Sequence, residues 1–198
     1  TVCNGCEEGK FSAGLAVNCT DCLAGTYSAS RASTCTNCSE GSYSATDAAF
    51  ACLSCDAGTY AGNEGMTIYR KCGTGLYQSA IGQSSCNECG AGSATGIARG
   101  SSMCASCDAG TYSGAASVNC TACGHGTYSG TGASSCSACE NGTYAAALST
   151  ASCSECASGK YSLSRTGQAS CDDCAAGRSS GSRASKCTNC EVGKRSDT

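Results

Sequence analysis

Apolar side chains in this chain follow no helical period. The regular alternation is a short one, in which a glycine is followed by a small polar residue, an aromatic ring and another small residue, as in Gly25-Thr26-Tyr27-Ser28. That pattern predicts a turn at the glycine and a strand of three or four residues beyond it. It returns every 16 to 18 residues, behind a Cys-x-x-Cys pair, or in the fifth copy a Tyr-x-x-Cys, whose last cysteine is Cys6, Cys22, Cys38, Cys55, Cys72, Cys89, Cys107, Cys123, Cys139, Cys156, Cys174 or Cys190. A glycine stands three places after each of these twelve cysteines, from Gly9 to Gly193, and marks a backbone position with positive φ or a close chain approach. Two places further on, nine copies carry Phe or Tyr, and the others have Ala94, Ser179 and Arg195.

Fixed-period similarity on this scale means units too small to bury a core alone, stabilised by their neighbours and by cross-links. The expected fold is therefore small and disulfide-rich, mostly irregular with short β-strands, drawn out as an elongated rod of about twelve 16–18-residue cysteine-rich repeats. Three stretches are distinguished: 1–68, with repeats one to four and a linker; 69–85, the divergent fifth repeat; and 86–198, with repeats six to twelve. One- and two-residue differences in loop length argue against a tightly wound solenoid of identical coils. In the fifth repeat Tyr69 occupies the place of the first cysteine, with Met66 and Ile68 beside it in one of the few apolar clusters. Two readings follow: an aromatic ring packs where a disulfide has been lost, or the cluster is a lateral contact site.

Composition changes the picture from a core to a set of staples. Cysteine supplies 23 of 198 residues, whereas Leu, Ile, Val and Phe together number 15, too few to offset the entropy of ordering the chain. A disulfide closing a loop of this size removes about 3 kcal/mol of unfolded-state entropy, so a series of them takes over the core's role. Such bonds persist in oxidising surroundings, which points to an extracellular or cell-surface location. Four N-glycosylation acceptors agree with this, at Asn18, Asn37, Asn119 and Asn141, and three of them overlap a cysteine pair. Covalent glycans are expected and no other cofactor. The net charge of −3 is scattered with no basic run, so no nucleic-acid partner is expected, and the absence of an apolar stretch near 18 residues predicts no membrane span in this chain. Because Thr1 begins a repeat and the last copy breaks off at Thr198, the chain is expected to be a fragment, or a protomer whose repeats continue in a neighbour.

Spacing alone leaves the pairing open. Neighbouring copies could cross-link first-to-first and second-to-second, or each Cys-x-x-Cys could close on itself as in redox enzymes. The scheme preferred here joins the second cysteine of one copy to the first of the next, since that holds the two ends of the Gly-x-Tyr segment together. It gives Cys6–Cys19, Cys22–Cys35, Cys38–Cys52, Cys72–Cys86, Cys89–Cys104, Cys107–Cys120, Cys123–Cys136, Cys139–Cys153, Cys156–Cys171 and Cys174–Cys187, and leaves Cys3, Cys55 and Cys190 unpaired or intermolecular. The pattern Cys-x-x-Cys-x-x-Gly-x-Tyr-Ser resembles the cysteine-rich repeat of ephrin receptors and, more distantly, the modules of tumour-necrosis-factor receptors; similar runs occur in protist surface proteins. The resemblance implies an extracellular, elongated module whose Gly-x-Tyr loop is closed as in the preferred scheme. Those repeats usually carry proline directly after the second cysteine, where this chain has Glu7, Leu23, Ser39, Asp56 and Gly73 and no proline anywhere.

Paired Cys-x-x-Cys motifs also match a four-cysteine zinc site, but eleven of them in one chain, with sequons on three, favour disulfides, and no metal is expected. The lone histidine, His125, has no carboxylate pair or nucleophile motif beside it and reads as an exposed turn residue, so no catalytic residue and no enzyme is predicted. Near-equal units without a distinctive patch suit a disulfide-linked, glycosylated structural component of an extracellular or cell-surface fibre or coat, self-associating into filaments. The alternative is a receptor-like or adhesive binding module.

Overall fold

A computed structural model describes residues 4–14, 16–163 and 167–194. Among these residues there is no helix, and the 22 strands, each two residues long, form eleven separate antiparallel pairs. Contacts gather the chain into two compact units, Thr1–Cys89 with Thr95–Cys104, and Gly90–Ala94 with Ala105–Thr198. Both are built from the same hairpin.

The hairpin begins at the glycine. In the second copy Thr26 N–H donates to the Leu23 carbonyl at 3.0 Å, closing a four-residue turn with Gly25 third at φ 86°. Positive φ at that position is what a type II turn requires, and an L side chain there is strained. The same i to i+3 bond recurs in all twelve copies, from Lys10 on Glu7 to Lys194 on Glu191. It draws on the first residue's carbonyl alone, which any amino acid supplies, so Glu, Leu, Ser, Asp, Gly and Ala all serve after the second cysteine. Beyond the turn, Thr26–Tyr27 pairs with Thr36–Asn37, Thr26 facing Asn37, and Cys38 N–H to the Gly25 carbonyl at 2.9 Å completes the ladder.

The strands are shorter than the three or four residues expected, because the residue after the ring is used between copies. In the first unit Ser28 donates its N–H to Ala49 of the next copy at 3.2 Å, while its carbonyl accepts from Gly9 of the preceding copy at 2.9 Å. In the second unit Ser129 donates to Thr150 and accepts from Gly110. A second link comes from the loop. Gly65 N–H reaches the Cys38 carbonyl one copy back at 2.8 Å, and its own carbonyl lies so close over Gly25, two copies back, that a Cβ on Gly25 would overlap it. Ser149 stands in the same relation to Cys123 and to Gly110. Positive φ and close approach therefore coincide at these glycines.

Sequence separations of 13 to 15 residues between bonded cysteines leave these links intact, so the differences in loop length that argued against regular winding are absorbed before the first cysteine of each pair. The buried interior of each unit is a series of cysteines, Cys22, Cys38, Cys55, Cys72 and Cys89 in one and Cys107, Cys123, Cys139 and Cys156 in the other, all disulfide-bonded except Cys55, flanked by small residues such as Ser44, Ala61, Ser113 and Ala145. Serine is tolerated there because its hydroxyl is satisfied: Ser28 donates to the Lys10 carbonyl at 3.0 Å and Ser162 to the Thr143 carbonyl at 2.9 Å.

Candidate functional site: the unbridged hairpin and the surface sequons

Among the described residues ten disulfides are formed, and they are the ten pairs of the consecutive scheme, with Cα–Cα distances of 5.6 to 5.8 Å. Cys55 and Cys190 carry free thiols, Cys55 fully buried and Cys190 half-buried, and Cys3 lies outside the described residues. Among the described residues no cluster of three or more metal-ligating side chains is assembled.

Cys55 marks the one hairpin in the first unit without its bridge. Burial pushes its thiol pKa up, a hydrogen bond with Thr59 opposes the shift, and the Asp56 charge adds to it. Tyr69, in the place of the missing partner, turns its ring edge-on to Tyr43 of the third copy, with centroids 5.3 Å apart and planes at 68°. The ring thus packs where the disulfide is lost, yet remains 41% exposed. Tyr43 faces Leu53 across the strand pair, so Leu53, Tyr43 and Tyr69 form one partly exposed apolar cluster, with the exposed Ile68 next to Tyr69 in the chain. Sequence reasoning found Ile68 and Tyr69 and missed Tyr43 and Leu53, because the cluster joins copies three and five and no local spacing marks it.

All four sequon asparagines are exposed. Their surroundings differ: Asn37 ends a strand, Asn141 sits on the turn before Gly142, and Thr143 of the latter sequon is buried, its hydroxyl donating to the Glu140 carbonyl at 2.7 Å. Asn18 borders a shallow polar depression with Asn4, Ser12 and Arg31. His125 is an exposed turn residue whose Nδ1 lies 2.7 Å from the Ala146 carbonyl, to which it donates. Exposed ion pairs, Lys10 with Asp21 and Lys160 with Asp173, tie residues that face each other across strand pairs. No helix among the described residues is long and apolar enough to cross a membrane.

Stacked two-strand hairpins, all but the one at Cys55 clipped by a disulfide to the start of the next copy, define a cysteine-rich repeat module of the extracellular type. Residues 25–69 and 126–165 match the family described as Tyrosine-protein kinase ephrin type A/B receptor-like, so these two stretches carry the repeat that the cysteine, glycine and tyrosine spacing resembles. No curated protein matches the chain.

Proposed function

We propose that the chain is a structural component of an extracellular or cell-surface fibre or coat that associates with copies of itself and carries N-linked glycans. The observation that supports this reading is the sameness of the links between copies. Glycine to the post-ring residue, through its carbonyl or, at Gly75, through the Thr95 hydroxyl, and loop N–H to the cysteine carbonyl, recur through each unit, so one set of contacts serves copy after copy. Electron microscopy of the native material tests it: regular filaments or a layered coat are expected, and dispersed monomers at every concentration would reject it.

A receptor-like or adhesive binding module is the second reading. It is favoured by the family match over residues 25–69, which contain the apolar cluster of Tyr43, Leu53 and Tyr69 with Ile68 next to it in the chain. A polar replacement of Ile68 and Leu53 that abolishes cell binding while leaving filaments intact would favour this reading. Glycans are proposed at Asn18, Asn37, Asn119 and Asn141, whose exposure leaves room for them, and intact mass before and after glycosidase treatment checks each.

A further inference from the structure

The direction of the disulfides divides the four sequons. Cys19, inside Asn18-Cys19-Thr20, bonds backward to Cys6, and Cys120, inside Asn119-Cys120-Thr121, bonds backward to Cys107. The third sequon residues also fold backward, Thr20 against Phe11 and Thr121 against Tyr112. The disulfide and the strand partner that hold each of these two sequons both precede it in the chain. Cys38, inside Asn37-Cys38-Ser39, bonds forward to Cys52, 14 residues on. The sequon at Asn141 contains no cysteine, and although Thr143 bonds back to the Glu140 carbonyl within its own turn, its strand partner, Glu155, lies ahead in the chain. Asn37 itself pairs back with Thr26, and Cys38 N–H bonds back to the Gly25 carbonyl, but the disulfide of that hairpin, Cys22–Cys35, lies outside the sequon, and a lone two-stranded pair is marginal in water.

A glycan transferase takes the acceptor segment into its own cleft, and a segment pinned to its repeat at the middle and third residues cannot enter. In the transfer, Asn Nδ2 loses a proton and bonds to the anomeric carbon of the sugar, while that carbon's bond to a lipid diphosphate breaks and the diphosphate leaves. In the competing step the two cysteine thiols give two protons and two electrons to the disulfide of a thiol oxidoreductase, which becomes a dithiol. As the chain enters the secretory pathway at about 5–20 residues per second, the partner of Cys38 arrives about 1–3 s after it, whereas the partners of Cys19 and Cys120 are already present.

We propose that disulfide closure competes with glycan addition at Asn18 and Asn119, and that Asn37 and Asn141 escape this competition until the following repeat arrives. The proposal rests on the glycoprotein reading above. The test is site occupancy by mass spectrometry on the chain secreted from eukaryotic cells, with and without dithiothreitol during synthesis, and on the variants Cys6→Ser, Cys107→Ser and Cys52→Ser. None of these alters a sequon, and occupancy is read whether or not the variant folds. Occupancy is expected to rise about twofold or more at Asn18 in Cys6→Ser and at Asn119 in Cys107→Ser, since the competing step takes seconds or longer. It should stay unchanged at Asn37 in Cys52→Ser, and the reductant should raise Asn18 and Asn119 selectively. Unchanged occupancy at Asn18 and Asn119 in their own variants, with glycans present, overturns the competition. Absence of glycan from all four sites even with reductant rejects the glycoprotein reading itself.

Discussion

The hairpin of Thr26–Tyr27 and Thr36–Asn37 is closed by Cys22–Cys35, and the hairpin of Thr59–Tyr60 and Arg70–Lys71 is not closed at all, yet the two are built alike. Their turn bonds are each 3.0 Å, Thr26 on Leu23 and Thr59 on Asp56, and their final ladder bonds each 2.9 Å, Cys38 on Gly25 and Cys72 on Gly58. Both glycines donate to the post-ring carbonyl of the next copy, Gly25 to Ser44 at 2.8 Å and Gly58 to Gln78 at 2.7 Å. The disulfide therefore does not shape the hairpin. Turn chemistry and neighbouring copies do that, and the cross-link acts on the unfolded chain by limiting its freedom.

The largest expected effect comes from Gly58→Ala. A Cβ there combines positive φ with overlap on the Gly100 carbonyl, a cost of about 3 kcal/mol or more. In the unbridged hairpin this should release Cys55 to rapid alkylation. Gly25→Ala carries a similar strain in a bridged copy and should raise amide exchange without releasing that thiol, and Gly14→Ala, with open space around its Cβ, should do neither. Equal alkylation rates in all three would break the comparison.

Next in size is Tyr69→Cys, which supplies the missing partner. Bridging Cys55 should stabilise the copy by about 3 kcal/mol, less about 1 kcal/mol for the lost contact with Tyr43. Loss of alkylation at Cys55 and a mass lower by two hydrogens than the dithiol form would mark the bond, and a thiol at residue 55 that still reacts would refute it.

A pH series sharpens the same contrast. Because the Cys55 thiol pKa is raised in the fold, its contribution is fully present below the ordinary thiol pKa. It is lost as pH rises from there through the raised folded value, since the unfolded chain ionises first. Amide protection in the 55–72 hairpin, taken relative to unfolded-chain exchange at the same pH, should fall over that alkaline window, and Cys55→Ser should remove the fall. The smallest effect is expected for Tyr69→Leu, about 1 kcal/mol from the lost ring edge on Tyr43, read as a modest rise in exchange confined to copies three to five.

The twelve turns were legible because a turn is local: Gly25, Gly58 and their equivalents stand at a fixed distance from cysteine, and positive φ demands glycine within four residues of chain. The apolar cluster was half legible. Ile68 and Tyr69 are neighbours in sequence, but Tyr43 meets Tyr69 across 26 residues, a contact created by the stacking of copies. The strand length was overestimated at Tyr27-Ser28 for a related reason: Ser28 continues the alternation but gives its backbone to Gly9 and Ala49 of the adjoining copies.

By itself the sequence determined the repeat, the disulfide-dependent class, the turn at each glycine and the site of the missing cysteine, all of which follow from residue type and short spacing. Only the tertiary structure decided that copies grip the next two, that glycine at positions such as Gly25, Gly58 and Gly110 is required for space as well as for φ, and that Cys55 is sealed inside a hairpin that keeps its shape without a bridge. Those features depend on backbone groups of residues about 20 to 40 positions apart, and a backbone carbonyl looks the same in every residue until the chain is folded.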